Sequence, residues 1–123
     1  MLSRLFFLVS LIFLIISCRS PKKRDVPDGI LSEKEMVNVL INIHLAEAKT
    51  NDVKGKSKPN QVAIYRIYQD EVYDKFGIDS LIFKQSHDFY MGNIIEMRDI
   101  YKQVVDSLGK MQKVMEEEKD KKR

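Results

Sequence analysis

Residues Ile94–Met115 read IIEMRDIYKQVVDSLGKMQKVM, and their spacing decides the fold. Ile94, Met97, Tyr101, Val104, Leu108, Met111 and Met115 alternate three and four apart. This is the a/d pattern of a heptad, held for about three repeats, and it predicts one long helix with an apolar seam. Such a seam has to pack against another helix, either inside the chain or from a second one. At ~1.5 Å per residue the segment spans ~33 Å, whereas the helix expected before it, from Asp79 to about Met91, reaches only ~20 Å. The distal seam, Leu108, Met111 and Met115, is therefore expected to project past the compact body and to act as an interface.

Reading back from this helix, Gly92 breaks the pattern, and Asn93 followed by Glu96 has the spacing of a capping box. Asp79 is placed to cap the preceding helix, whose Phe83, Ser86, Phe89 and Tyr90 mark one face. Gly77 suits the C′ position of a helix that starts near Pro59 or Asn60. Along that helix Tyr65, Tyr68, Val72 and Phe76 form a stripe read as core. The polar run TNDVKGKSKPN before it is a connector, broken by Gly55 and Pro59. Ser32 with Glu35 makes another capping box, and Leu31 and Met36 stand as its hydrophobic staple. The first helix is expected over Glu33 to Lys49. Its polar side carries Lys34, Glu35, Asn38, Asn42 and Lys49, and Met36, Val37, Val39, Leu40, Ile41, Ile43 and Ala48 fill the opposing arc. Few glycines and prolines and no strand-like alternation complete the pattern. The fold class is all-α: a small bundle of about four helices with a long C-terminal heptad-bearing helix. The closing EEEKDKKR is a solvated helix end.

The other end of the chain carries an address. Arg4 precedes an apolar run, Leu5 to Ile16, interrupted only by Ser10. That run covers ~18 Å as a helix, short of the ~30 Å hydrocarbon core, and fits the h-region of a secretory signal. Ser17 then precedes Cys18, and Ile15-Ile16-Ser17-Cys18 resembles the lipobox of bacterial lipoproteins. The implied organisation is a signal peptide over 1–17, an acylated Cys18 with a basic tether over 18–28, a helical domain over 29–115 and a charged tail over 116–123. Two or more acyl chains on Cys18 would give a stable anchor, at about 0.8 kcal/mol per buried methylene. Cys18 is the chain's one cysteine, so the sequence offers no disulfide and no free thiol nucleophile. The net charge of +3 is concentrated in the tether, at Arg19, Lys22, Lys23 and Arg24. These residues suit anionic head groups better than nucleic acid, since the rest of the chain is charge-balanced.

His44 and Glu47 are the candidate buried polar pair. The helical wheel puts both inside the apolar arc of the first helix, three residues apart on one surface. A buried carboxylate needs a partner, and a tyrosine hydroxyl, Arg66, Arg98 or His44 itself is expected to supply one. The pair reads first as a structural network, second as the lining of a small-ligand pocket, and last as part of a metal site that His87 and Asp88 would join. His87 and Asp88 are adjacent, however, and adjacent helical residues do not face the same way. No HExxH, no GxSxG and no paired nucleophile and base stand in the chain, so no catalytic residue, cofactor or metal is assigned and no enzyme is expected.

Three stretches, PDGILSEKEMVNVLINIHLAEAK, YDKFGIDSLIFKQSHDFYMGN and IYKQVVDSLGK, together resemble the family called domain of unknown function 4296, small Bacteroidetes lipoproteins. The likeness covers about Pro27 to Met115 and rests on Pro27 with Leu31, the HLAEA segment, the FGID turn and the Phe, Ser, Tyr pattern of the third helix. It implies a helical lipoprotein and supplies no catalytic residues. In that group, surface export usually goes with an acidic signal after the acylated cysteine. The basic CRSPKKRD implies retention on a periplasmic leaflet, with the outer membrane favoured. The resulting expectation is a membrane-tethered periplasmic interaction or assembly module. Its partners would be the membrane through Cys18 and another protein or a second copy. The alternative is a ligand-binding or metal-dependent module at His44 and Glu47.

Overall fold

The computed structural model describes residues 23–52 and 58–123. The signal segment, Cys18 and the tether as far as Lys22 lie outside the described residues, as does the centre of the connector. Among the described residues four helices follow one another: α1, Glu33–Asn51; α2, Lys58–Phe76; α3, Ser80–Met91; and α4, Ile94–Lys121. Among the described residues there is no strand, and no helix is long and apolar enough to cross a membrane.

Local chemistry places each junction. The tether turns at Pro27-Asp28-Gly29-Ile30, where the Ile30 N–H donates to the Pro27 carbonyl at 3.2 Å and Gly29 holds φ at +82°. Glycine takes this left-handed position without steric cost. Ser32 then caps α1 with a complete capping box, the Ser32 N–H donating to Glu35 Oε2 at 2.8 Å. Hydrogen bonding from Ser32 holds the Glu35 carboxyl below its usual range. α2 ends at Gly77, φ +63°, with the Ile78 N–H on the Tyr73 carbonyl and the Gly77 N–H on the Asp74 carbonyl. That pair of bonds is a Schellman motif, and Ile78 packs on the core as the motif requires. Asp79 follows at once as the N-cap of α3, accepting the Ile82 N–H at 2.8 Å. The FGID turn thus closes one helix and opens the next within four residues.

α1 is the centre of the bundle. It packs against α2 and α4, and α3 packs against α4. Met36, Val39, Leu40, Ile41 and Ile43 of α1 are buried with Val72 and Tyr73 of α2, Tyr90 of α3, and Met97, Ile100 and Val104 of α4. Leu31 and Met36, the expected staple, are both in the core. Ala48, expected in the buried arc, is exposed, because the arc narrows towards the end of α1.

Two expectations at α4 change. Asn93 does cap it, but through the Ile95 N–H at 3.1 Å, and Glu96 does not complete a capping box, because its carboxylate is taken by Arg24. The seam is also wider than a/d. Ile100 is fully buried, while Ile94, the first seam position, is 74% exposed. α4 faces both α1 and α3, so its buried stripe must be broader than a single coiled-coil seam, and Ile94 lies outside their cover. The helix continues through the charged tail to Lys121.

Candidate functional site

The basic tether over 18–28 does not stay clear of the helical body along its whole length. At Arg24 it is fastened to the α3–α4 corner. The Arg24 backbone N–H donates to Glu96 Oε1 at 3.1 Å, and the guanidinium donates to Glu96 Oε2 through Nε at 3.1 Å and Nη2 at 2.8 Å. Nη2 also donates to the Phe89 carbonyl at 2.7 Å, one of the acceptors left free at the end of α3. The guanidinium carbon lies 4.3 Å from the centre of the Phe89 ring. A planar fork of donors suits this combination of carboxylate, carbonyl and aromatic face, which a lysine could not serve together. The Arg24 hydrogen bonds hold the Glu96 carboxyl below its usual range. Beside this clasp, Lys23 pairs with Glu33 at the start of α1. No sequence signal marked Arg24 or Glu96 as partners. Cys18 itself lies outside the described residues.

His44 and Glu47 are brought together, but not in the core. Glu47 Oε2 lies 3.2 Å from His44 Nδ1, with side chains 57% and 35% exposed. This corrects the expectation of a buried pair. α2 and α4 flank α1 without closing over this part of the arc, so the pair sits at its open edge. The His44 ring is 6.1 Å from that of Tyr101. Beyond it, Glu47, Thr50, Asn51, Gln61, Val62 and Tyr65 border a surface depression of about 350 Å³ between the end of α1 and the start of α2. Burial, aided by the nearby Glu47 charge, raises the Tyr65 hydroxyl above its ordinary range. On α3, Asp88 is engaged by Lys84 at 2.5 Å, which lowers its carboxyl. Among the described residues no three His, Cys, Asp or Glu side chains gather as metal ligands would.

The distal part of α4 carries the other apolar surface. Leu108 is half-buried against the core, so it belongs to the body more than to the projecting end. Met111 is 44%, Val114 55% and Met115 54% exposed. Together with Leu45 of α1 and Lys110 they line an open groove of about 490 Å³. The heptad pattern includes Met111 and Met115 but not Val114, one position off the seam, nor Leu45, whose place in the groove depends on how α1 crosses α4.

A family model described as Domain of unknown function (DUF4296) matches residues 27–114, from the turn before α1 to the exposed stripe of α4. Among curated proteins and among solved structures nothing matches the chain.

Proposed function

Since the chain belongs to the DUF4296 family, we propose that it is a lipid-anchored protein of the cell envelope whose helical body presents the distal stripe of α4 to a partner helix. The observation that carries this reading is the stripe itself. Met111, Val114 and Met115 stand exposed over Leu45, on a helix whose earlier turns bury the same kind of residue. An amphipathic helix laid in such a groove would contact the stripe at successive turns. Methionine suits the role, because its unbranched thioether adapts to different neighbours. Anchoring rests on the sequence: Arg4, the short apolar run, Ser17 and Cys18 in order. The basic residues after Cys18 favour the periplasmic face of the outer membrane. In this reading the protein is a scaffold or assembly module and performs no chemistry of its own.

The test has two arms. Metabolic labelling with a fatty-acid probe should mark the wild type and fail on Cys18→Ala, with unprocessed precursor accumulating. Photo-crosslinkers at Met111 and Val114 should trap one defined product in cells, and Met115→Glu should abolish it. A product of twice the chain's mass identifies a second copy. Retained label on Cys18→Ala refutes the anchor, and absence of any crosslink from both positions refutes the interface.

A further inference from the structure

We infer that the α3–α4 corner rests on the lipid leaflet, with Met91 and Ile94 at the level of the head groups. This rests on the anchoring of Cys18 and adds an orientation to it. The argument begins with where the tether meets the body. Arg24 is bonded to Glu96 and to the Phe89 carbonyl, and its Nη1 lies 3.6 Å from the position a Cβ would take on Gly92. The chain therefore joins the folded body at this corner. Cys18 precedes Arg24 by six residues, a reach of at most about 21 Å when fully extended. The corner cannot leave the anchoring leaflet by more than that. The distal stripe is not held in this way, since Met115 lies ~32 Å further along α4 from Ile94.

The residues at the corner fit the neighbour that the tether supplies. Ile94 is 74% exposed, the highest of the large exposed apolar residues among those described, and Met91 beside it is 50% exposed. With Ile95, Met97, Arg98 and Tyr101 they border an apolar hollow of about 580 Å³. Charge does not oppose the contact. Glu96 is neutralised by Arg24, Asp99 accepts from Arg98 at 2.8 Å, and Asp88 is paired with Lys84. The Arg98 side chain is 70% exposed, and while Nε and Nη2 stay on Asp99 its Nη1 donors can face lipid phosphates. Apolar side chains at head-group depth with a cation beside them match the composition of interfacial contacts. A protein partner would need a reason to occupy this end, whereas the leaflet is already held there by the tether.

The test uses the full lipidated protein in vesicles of phosphatidylethanolamine and phosphatidylglycerol. The acylated Cys18 leaves no competing thiol, so Ile94→Cys, Met91→Cys and the distal control Gln112→Cys can each take an environment-sensitive fluorophore. Nitroxide lipids serve as the quencher. At positions 94 and 91 emission should shift to the blue and be quenched several-fold more than at position 112. Equal, water-like emission at all three sites, with the protein floating on the vesicles, overturns the inference and leaves the anchor intact. A blue shift without quenching assigns the corner to a protein neighbour and also overturns it. Failure to float, or to take a fatty-acid label, removes the anchor and the inference with it.

Discussion

The Leu31 amide donates to the Ser86 hydroxyl at 2.9 Å, across 55 positions of sequence. Ser86 is wholly buried, and its hydroxyl donates in turn to the Ile82 carbonyl at 2.7 Å. One turn later the Tyr90 hydroxyl donates to the Leu31 carbonyl at 2.8 Å. Two side chains of α3 thus satisfy both polar backbone groups of a residue that has no helix of its own, and they seat the segment before α1 on the bundle.

Ser86→Ala should therefore destabilise the domain by about 1–3 kcal/mol, because it leaves a buried N–H without an acceptor. Tyr90→Phe should lose about 1 kcal/mol by the same reasoning. The two act on one residue, so the double variant should depart from additivity in a mutant cycle. Urea denaturation measures all three. An unchanged midpoint for Ser86→Ala would mean that the bond does not hold the segment.

The Arg24–Glu96 clasp predicts a pH dependence. The folded state holds the Glu96 carboxyl low, so its contribution is complete above the ordinary glutamate range and is lost as pH falls through the lower folded value. Glu35 and Asp88 share this direction. Glu96→Gln should lower the melting temperature at neutral pH and shrink the further loss on acidification. Melting curves from pH 7 down to about 3 provide the check; parallel profiles for variant and wild type would deny Glu96 a part in acid sensitivity.

Glu47→Ala should change stability by no more than about 0.5 kcal/mol, as for other exposed ion pairs. A pair buried in the core would have behaved quite differently. A drop in stability well beyond that value would place a further, unrecognised partner on Glu47.

The seam should divide functionally at Leu108. Leu108→Glu puts a charge against the core and should lower stability by about 2 kcal/mol or more. Met111→Glu with Met115→Glu should stay within about 0.5 kcal/mol of wild type yet lose the crosslinked partner. Unfolding of the double variant would make the distal stripe part of the fold rather than a contact surface.

Much of this architecture is local and was therefore legible in the sequence. Ser32 with Glu35, Asp79, and Phe76-Gly77-Ile78 each act on neighbours a few residues away, so the helix ends and the all-helical class follow from residue types. What could not be read depends on which element covers which. Ile94 and Ile100 are chemically identical and share one helix, yet one is exposed and the other wholly buried. His44 and Glu47 lie in a hydrophobic arc on the wheel, and only the placement of α2 and α4 shows that the arc is open there. Glu96 had the spacing of a cap residue, but a stronger partner 72 positions away claims it.

The fastening of Arg24 also settles how mechanical load would enter the molecule. Tension drawn through Cys18 would meet the exposed Lys23–Glu33 pair and then Arg24, whose guanidinium passes it into Glu96 and the Phe89 carbonyl. The multiply bonded junction of α3 and α4 would then bear most of the pull, while the turn at Pro27–Ile30 stays slack behind it. A partner tugging on distal α4 would strain that helix between its two ends, and its packing against α1 would resist the strain along its length.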